Sequence, residues 1–289
     1  MTGSEMSGIV NSTRAELLRM RKWPAVWVTV GAWMALALMF GYVFNYVSYA
    51  TGDTSFSNEG ATAASLLAEL LPANAPHVLI QGTPMFGGAL MMVLGALVAG
   101  SGYGWGTWKT VFTQGPSRTA ATLGSLAALA VVVAGLVLAT FALCLAVSLG
   151  VAGVESQSVV WPSAVDVLQG VATAYGVLGM WALAGFLLGT LARGPALSVG
   201  LGLVWALVIE NLLRGVGELL SPVEAFTHVL PGTAAGSLVG SIVGVDPSGD
   251  TTPGVLDTLS AERAVLTLVA YVVLLVGASL VLVRRRDVV

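Results

Sequence analysis

The sequence predicts an all-α polytopic membrane protein. It should have six transmembrane helices, an amphipathic helix at the N-terminus, and short re-entrant helices between spans five and six. Three observations carry this. The 289 residues are 56% hydrophobic and only 9% charged, against about 25% charged in soluble domains. Six apolar stretches approach or exceed the ~20 residues needed to cross a bilayer's hydrocarbon. The basic residues gather on alternate sides of those stretches, which is how cytosolic loops are marked. The chain reads as a single transmembrane domain, 1–289.

Residues 1–23 are polar, then basic. Thr13-x-x-Glu16 has the form of a capping box, which satisfies free amides at a helix start. A short helix is therefore expected from Thr13, with Leu17, Leu18 and Met20 among Arg14, Arg19, Arg21 and Lys22. Such a helix lies on the membrane surface with its cations toward acidic headgroups. The first span, about 24–46, follows without a charge, with Trp23, Trp27, Tyr42, Tyr46 and Tyr49 near its two ends, as an aromatic belt requires. It is too long for a signal peptide's apolar core.

Residues 47–77 are acidic, with Asp53, Glu59 and Glu69 and neither Lys nor Arg. A short helix is expected over 61–71, ended by Pro72 and Pro76. His77 has no metal-ligand neighbour in sequence and reads as a solvated or hydrogen-bonded residue. The second span, about 78–101, carries Gln81, Met85, Met91 and Met92. Its methionines suit adaptable packing or a path for varied ligands.

The stretch 102–119 is the chain's most distinctive. Glycines stand at every second position from Gly100 to Gly106, followed by Trp108, Lys109 and the run Gly115-Pro116-Ser117-Arg118. The third span, about 120–149, contains Cys144, the single cysteine. A lone buried thiol forms no internal disulfide and is inert. The acidic stretch 150–166 leads to the fourth span, about 167–191. There Gly185-x-x-x-Gly189 permits close helix approach, within one subunit or between two.

A short turn through Arg193 opens the fifth span, about 196–213. Glu210 and Arg214 are four residues apart and can pair on one face. An ionisable group at membrane depth is a functional candidate. Fifteen residues of helix from Pro195 rise about 22 Å, which places Glu210 near the outer headgroups, paired with Arg214. In 214–262, Pro222 and Pro231 break short helical stretches, Gly236, Gly240 and Gly244 recur every fourth residue, and an acidic tail runs from Asp246 to Glu262. The sixth span, about 264–283, stops at Arg284–Arg286.

Six spans bring both termini to one side. That side holds ten of the twelve Lys and Arg residues; Arg214 and Arg263 lie opposite. The termini and the 102–119 loop are therefore expected in the cytosol, with the chain in the cytoplasmic membrane. No GxxxxGK[ST], HExxH or GxSxG motif is present. The chain is not expected to be an enzyme, to hold a cofactor or metal itself, or to bind nucleic acid.

Residues 13–28, TRAELLRMRKWPAVWV, and 106–129, GTWKTVFTQGPSRTAATLGSLAAL, resemble the permease subunits of ABC-2-type exporters. That family has an amphipathic elbow helix before span one and a G-T-x-K…P-x-S-R-like loop after span two. Gly106, Thr107, Lys109, Gly115, Pro116, Ser117 and Arg118 match it, with the proline directly before the serine rather than one residue earlier. The six-span layout, cytosolic termini and outer segment between spans five and six agree over the whole chain.

The resemblance implies a partner that hydrolyses ATP. The loop would hold a coupling helix docked on a separate ABC ATPase subunit. Trp105 and Trp108 would be packing anchors, with Thr107, Lys109, Pro116, Ser117 and Arg118 making further contacts. Two ATPase copies, binding the ATP and Mg, would serve two permease copies, identical or close paralogues. Spans two and five would line the cargo path, nominating Met85, Met92, Trp205 and Asn211. Uncharged spans suit an amphipathic or apolar cargo taken from membrane lipid, such as a drug, peptide antibiotic or lipid-like molecule. Two other readings remain. An ion-coupled secondary transporter would depend on Glu210; a membrane scaffold or sensor subunit would not need the loop at all.

Overall fold

A computed structural model describes residues 3–52, 62–113, 115–245 and 252–285. Asp53, Glu59, Gln114, Asp246 and Arg286, used above for loop charge, topology and motif, lie outside the described residues. The described chain is all-α, without a strand. Among the described residues, six helices are long and apolar enough to cross a membrane: Pro24–Thr51, Thr83–Gly104, Arg118–Val154, Ala164–Ala192, Pro195–Gly217 and Ala261–Arg285. The protein is thus a multi-pass, all-α membrane protein. Two further helix pairs, Ala63–Leu70 with Pro72–Gln81 and Ser221–Thr227 with Pro231–Val243, are bent by 67° and 73°.

The second span is the centre of the bundle, and 72% of its apolar window is buried. The fourth span lies directly on it. A Cβ on Gly95 would meet the Ala182 carbonyl oxygen, and one on Gly185 would meet that of Met92. Only glycine lets two helix backbones come this close. Gly189 continues the contact against Ala96 and Gly100, so the Gly185–Gly189 pair packs within the subunit.

The first and third spans are joined by polar contacts at several depths. Trp33 Nε1 donates to Thr140 Oγ1 at 3.1 Å, and the Tyr42 hydroxyl donates to the Cys144 carbonyl at 3.0 Å. At the end remote from the termini, Tyr46 and Tyr49 both donate to Glu155, at 2.8 and 2.9 Å. Each of these polar groups thus has its partner, as an apolar surround demands.

The N-terminal helix is longer than expected. It runs Gly3–Lys22, so Thr13 is no cap. Its hydroxyl donates to the Ile9 carbonyl one turn back, at 2.9 Å. The earlier residues continue the helix because it packs on the base of the third span, Gly8 near Ala120 and Ser12 on Gly124. Tertiary contact has overridden the local cap signal.

The second span also departs from its expected start. Residues 78–81 belong to the preceding helix, Ala75–Gln81, and the chain resumes at Thr83 in a π-helical turn, Thr83–Gly87. Pro84 cannot donate a backbone hydrogen bond, which breaks the α-helical ladder here. Similar wide turns occupy Met39–Val43 in the first span and Val204–Ile209 in the fifth. The span ends at Gly104, so Gly102 and Gly104 are helical rather than loop.

In the segment between spans five and six, Gly236 and Gly240 admit the backbone of Gly254 and Leu256. The Leu256 amide donates to the Gly236 carbonyl at 3.2 Å, and the Leu259 amide to Ser237 Oγ at 3.1 Å. The first two glycines of the repeat are therefore a bed for the irregular stretch that precedes the sixth span, while Gly244 faces open space.

Candidate functional site

Two places collect the distinctive residues. The first is a cavity of about 350 Å³ between spans two, four, five and six. Met92, Met180 and Trp181 form its inner wall, and Trp205, Pro231 and Tyr271 close it toward the remote end. Gly202 brings the fifth span onto the Met92 thioether, where any Cβ would clash. Leu201 and Val204 lie on the lining and are also half exposed on the outer face of the fifth span. The cavity therefore lies beside the lipid-facing surface. Its walls are methionine, aromatic and aliphatic, suited to an apolar guest of variable shape.

Above the cavity sits a compact polar knot. Glu210 is 1% exposed. Trp205 Nε1, in the wide turn of the fifth span, donates to Glu210 Oε1 at 2.8 Å. The other carboxylate oxygen meets the Gly232 amide at the start of helix Pro231–Val243, where free N–H groups favour a negative charge. Arg214 Nη1 lies 3.6 Å from Glu210 Oε2, and Arg214 Nη2 donates to Asn211 Oδ1 at 2.7 Å. The pairing of Glu210 with Arg214 is present. The carboxylate is enclosed by the bent pair, which folds over the end of the fifth span.

Of the four residues expected along a cargo path, the structure brings Met92 and Trp205 into this cavity. Met85 lies instead beneath the Gly254 backbone. Asn211 is a turn farther on, its amide donating to the Leu207 carbonyl at 2.9 Å. Trp181, Met180 and Tyr271 escaped sequence reasoning. A usable signal existed for Trp181, because a tryptophan at mid-span departs from the interfacial placement of that residue.

The second place is the loop after the second span, which carries a short helix, Thr107–Thr113. Trp108 is turned inward. It is 8% exposed, donates to the Ala99 carbonyl at 3.3 Å, and stacks on Phe112 with centroids 5.2 Å apart. Gly102 makes room for its ring. Trp108 thus anchors the loop helix to its own span. Trp105 is 63% exposed and meets Trp23 edge-on at 5.6 Å. Lys109 is exposed.

The motif's remaining members are local supports. Thr107 Oγ1 donates to the Gly102 carbonyl at 3.2 Å. Ser117 Oγ caps the third span by accepting from the Ala120 amide at 3.1 Å. The Arg118 guanidinium lies 5.8 Å from the Phe112 ring centroid. A cleft of about 400 Å³ opens between this helix, the N-terminal helix and the base of the third span, with Asn11, Ser12, Glu16, Trp108 and Pro116 on its walls.

The N-terminal helix is tied in by Arg19. Its guanidinium donates to the Val98 carbonyl at 3.1 Å and pairs with Glu16 at 2.7 Å. Burial pushes the Glu16 carboxyl above its usual range, and Arg19 draws it partly back. Arg284 Nε donates to Thr119 Oγ1 at 3.0 Å, so the N-terminal helix and the end of the sixth span both meet the base of the third span. No protein-family model matches the chain, and no curated protein matches it either.

Proposed function

We propose that the chain is the transmembrane permease subunit of an ATP-driven exporter of ABC-2 type. It moves an apolar or amphipathic cargo across the cytoplasmic membrane with a separate ATPase. The observation that carries this reading is the short helix Thr107–Thr113, held at the termini-bearing end and offering exposed Lys109 and Trp105 beside the 400 Å³ cleft. A loop that only linked two spans would not need an internal tryptophan anchor beside the capped start of the third span. The termini-bearing end is cytosolic in this reading, because the basic residues collect there. Two ATPase subunits bind ATP and Mg, and a second permease completes the pathway. The cavity at Met92 and Trp205 receives cargo from the lipid side.

The test is co-purification of the wild-type chain from its host in mild detergent. A stoichiometric ATPase identified by mass spectrometry is expected. Trp105→Ala with Lys109→Glu should release it while the permease stays monodisperse; unchanged co-purification would count against the loop as the docking element. Trp108 is unsuitable for this test because its truncation unseats the helix itself.

The buried Glu210 favours one second reading, an ion-coupled transporter. Cargo uptake by proteoliposomes of this chain alone, driven by a pH or sodium gradient, would establish it in place of the first.

A further inference from the structure

One face of the fourth span is loosely packed along much of its length. Gln169, Thr173, Gly176, Gly179 and Leu183 recur at steps of three or four, so they share that face. They line two hollows that meet at Gly176, one of about 770 Å³ toward the remote end and one of about 120 Å³ deeper. A Cβ on Gly176 or Gly179 meets nothing within 4 Å. These two glycines therefore floor an open groove and are not points of close packing. Val265, Val269 and Val272 of the sixth span form one wall. From Gln169 to Leu183 the helix rises about 21 Å. One leaflet of hydrocarbon is about 15 Å, half the usual thickness.

The groove is graded from end to end. Gln169, Ser241 and Glu262 lie at its remote rim, where the fourth span starts at Ala164, the sixth starts at Ala261 and the re-entrant helix ends at Val243. Deeper down, the lining is almost wholly apolar. This is the polarity of a phospholipid, with the headgroup at the rim and an acyl chain below. The charge at the rim selects the headgroup. Glu262 supplies a carboxylate there. A carboxylate complements a headgroup that ends in an ammonium. A glycerol headgroup would leave Glu262 without a counter-charge.

We propose that this groove binds a phospholipid with a primary-amine headgroup. One acyl chain lies over Gly176 and Gly179, and the ammonium meets the Glu262 carboxylate. The site requires only that the chain span a membrane and holds whether or not the protein transports anything.

The test is native mass spectrometry of the full chain in mild detergent, offered equal phosphatidylethanolamine and phosphatidylglycerol. The wild type should retain the ethanolamine lipid about fivefold over the glycerol lipid, the worth of one partly screened ion pair. Glu262→Gln should still hold lipid but lose the preference. Gly176→Leu should lose the bound lipid, because its side chain fills the groove. Gly200→Leu, equally open but on the fifth span, should behave as wild type and shows that a bulky lipid-facing residue is tolerated. Equal retention of both headgroups by the wild type, or full retention by a monodisperse Gly176→Leu, would overturn the proposal. So would a dimer that Gly176→Leu splits, since a second copy would then be the occupant.

Discussion

At the scale of single residues, Glu210 decides most. Its carboxylate satisfies an indole N–H, a backbone amide at a helix start and a guanidinium. Glu210→Ala strips the indole and the amide of their acceptor and the guanidinium of its counter-charge, and should destabilise the protein by about 3 kcal/mol, within the cost of breaking a buried pair. Gly232→Ala attacks the same contact from the other side, because its methyl would strike the carboxylate. The double variant should therefore melt no lower than Glu210→Ala alone. Thermal melting in detergent checks this, and strictly additive losses would show that the two residues do not share a contact. Arg19 and Glu16 form an unequal pair. Burial raises the Glu16 carboxyl, so the folded state holds its proton more tightly than the unfolded chain does. That contribution is present at acid pH and is lost as pH rises through the raised value. Glu16→Gln should accordingly be tolerated at neutral pH. Arg19→Ala should cost about 1–2 kcal/mol, because it removes the bonds to the second span and leaves Glu16 uncompensated.

At the scale of elements, the crossing of spans two and four is the tightest joint. Gly185→Ala places a methyl against the Met92 carbonyl and should cost about 1–3 kcal/mol, as overpacking does. Gly179→Ala, with open space around it, should leave the melting temperature unchanged. Equal melting of the two variants would mean that the crossing yields more easily than its geometry implies. The contrast also separates what the sequence could reveal from what it could not. Both glycines lie in one apolar run, and composition does not say which one faces a helix. Long spans were legible because lipid imposes length and apolarity on every one of them. Their breaks were less so. The wide turn at Thr83–Gly87 is signalled by Pro84, while those at Met39–Val43 and Val204–Ile209 contain no proline. The cap at Thr13 read correctly as a motif and failed as a boundary, because packing on the third span extended the helix. Trp108 was legible as important but not as internal, since a helix of seven residues carries too little pattern to separate an anchor from a docking knob.

At the scale of the molecule, the proposed orientation is directly testable. Single cysteines in place of exposed Lys109 and Glu262 should react with a membrane-impermeant thiol reagent from opposite sides of sealed vesicles, Lys109→Cys from the cytosolic side. Labelling of both from one side would break the six-span topology, and an exchange of the two sides would reverse it. The third span sets the relation between those two sides. It runs unbroken for 37 residues, from Arg118 to Val154, a length of about 55 Å. One end carries the N-terminal helix and Arg284, and the other carries Glu155, gripped by Tyr46 and Tyr49. The helix is therefore a phase reference as well as a spacer. Deleting one residue from its middle turns the two ends by about 100° relative to each other, so that Glu155 faces away from its tyrosines. Deleting seven shortens it by about 10 Å yet restores the angle to within about 20°. The two ends of the protein are in this sense keyed to one another by the count of residues between them, modulo the turn of a single helix.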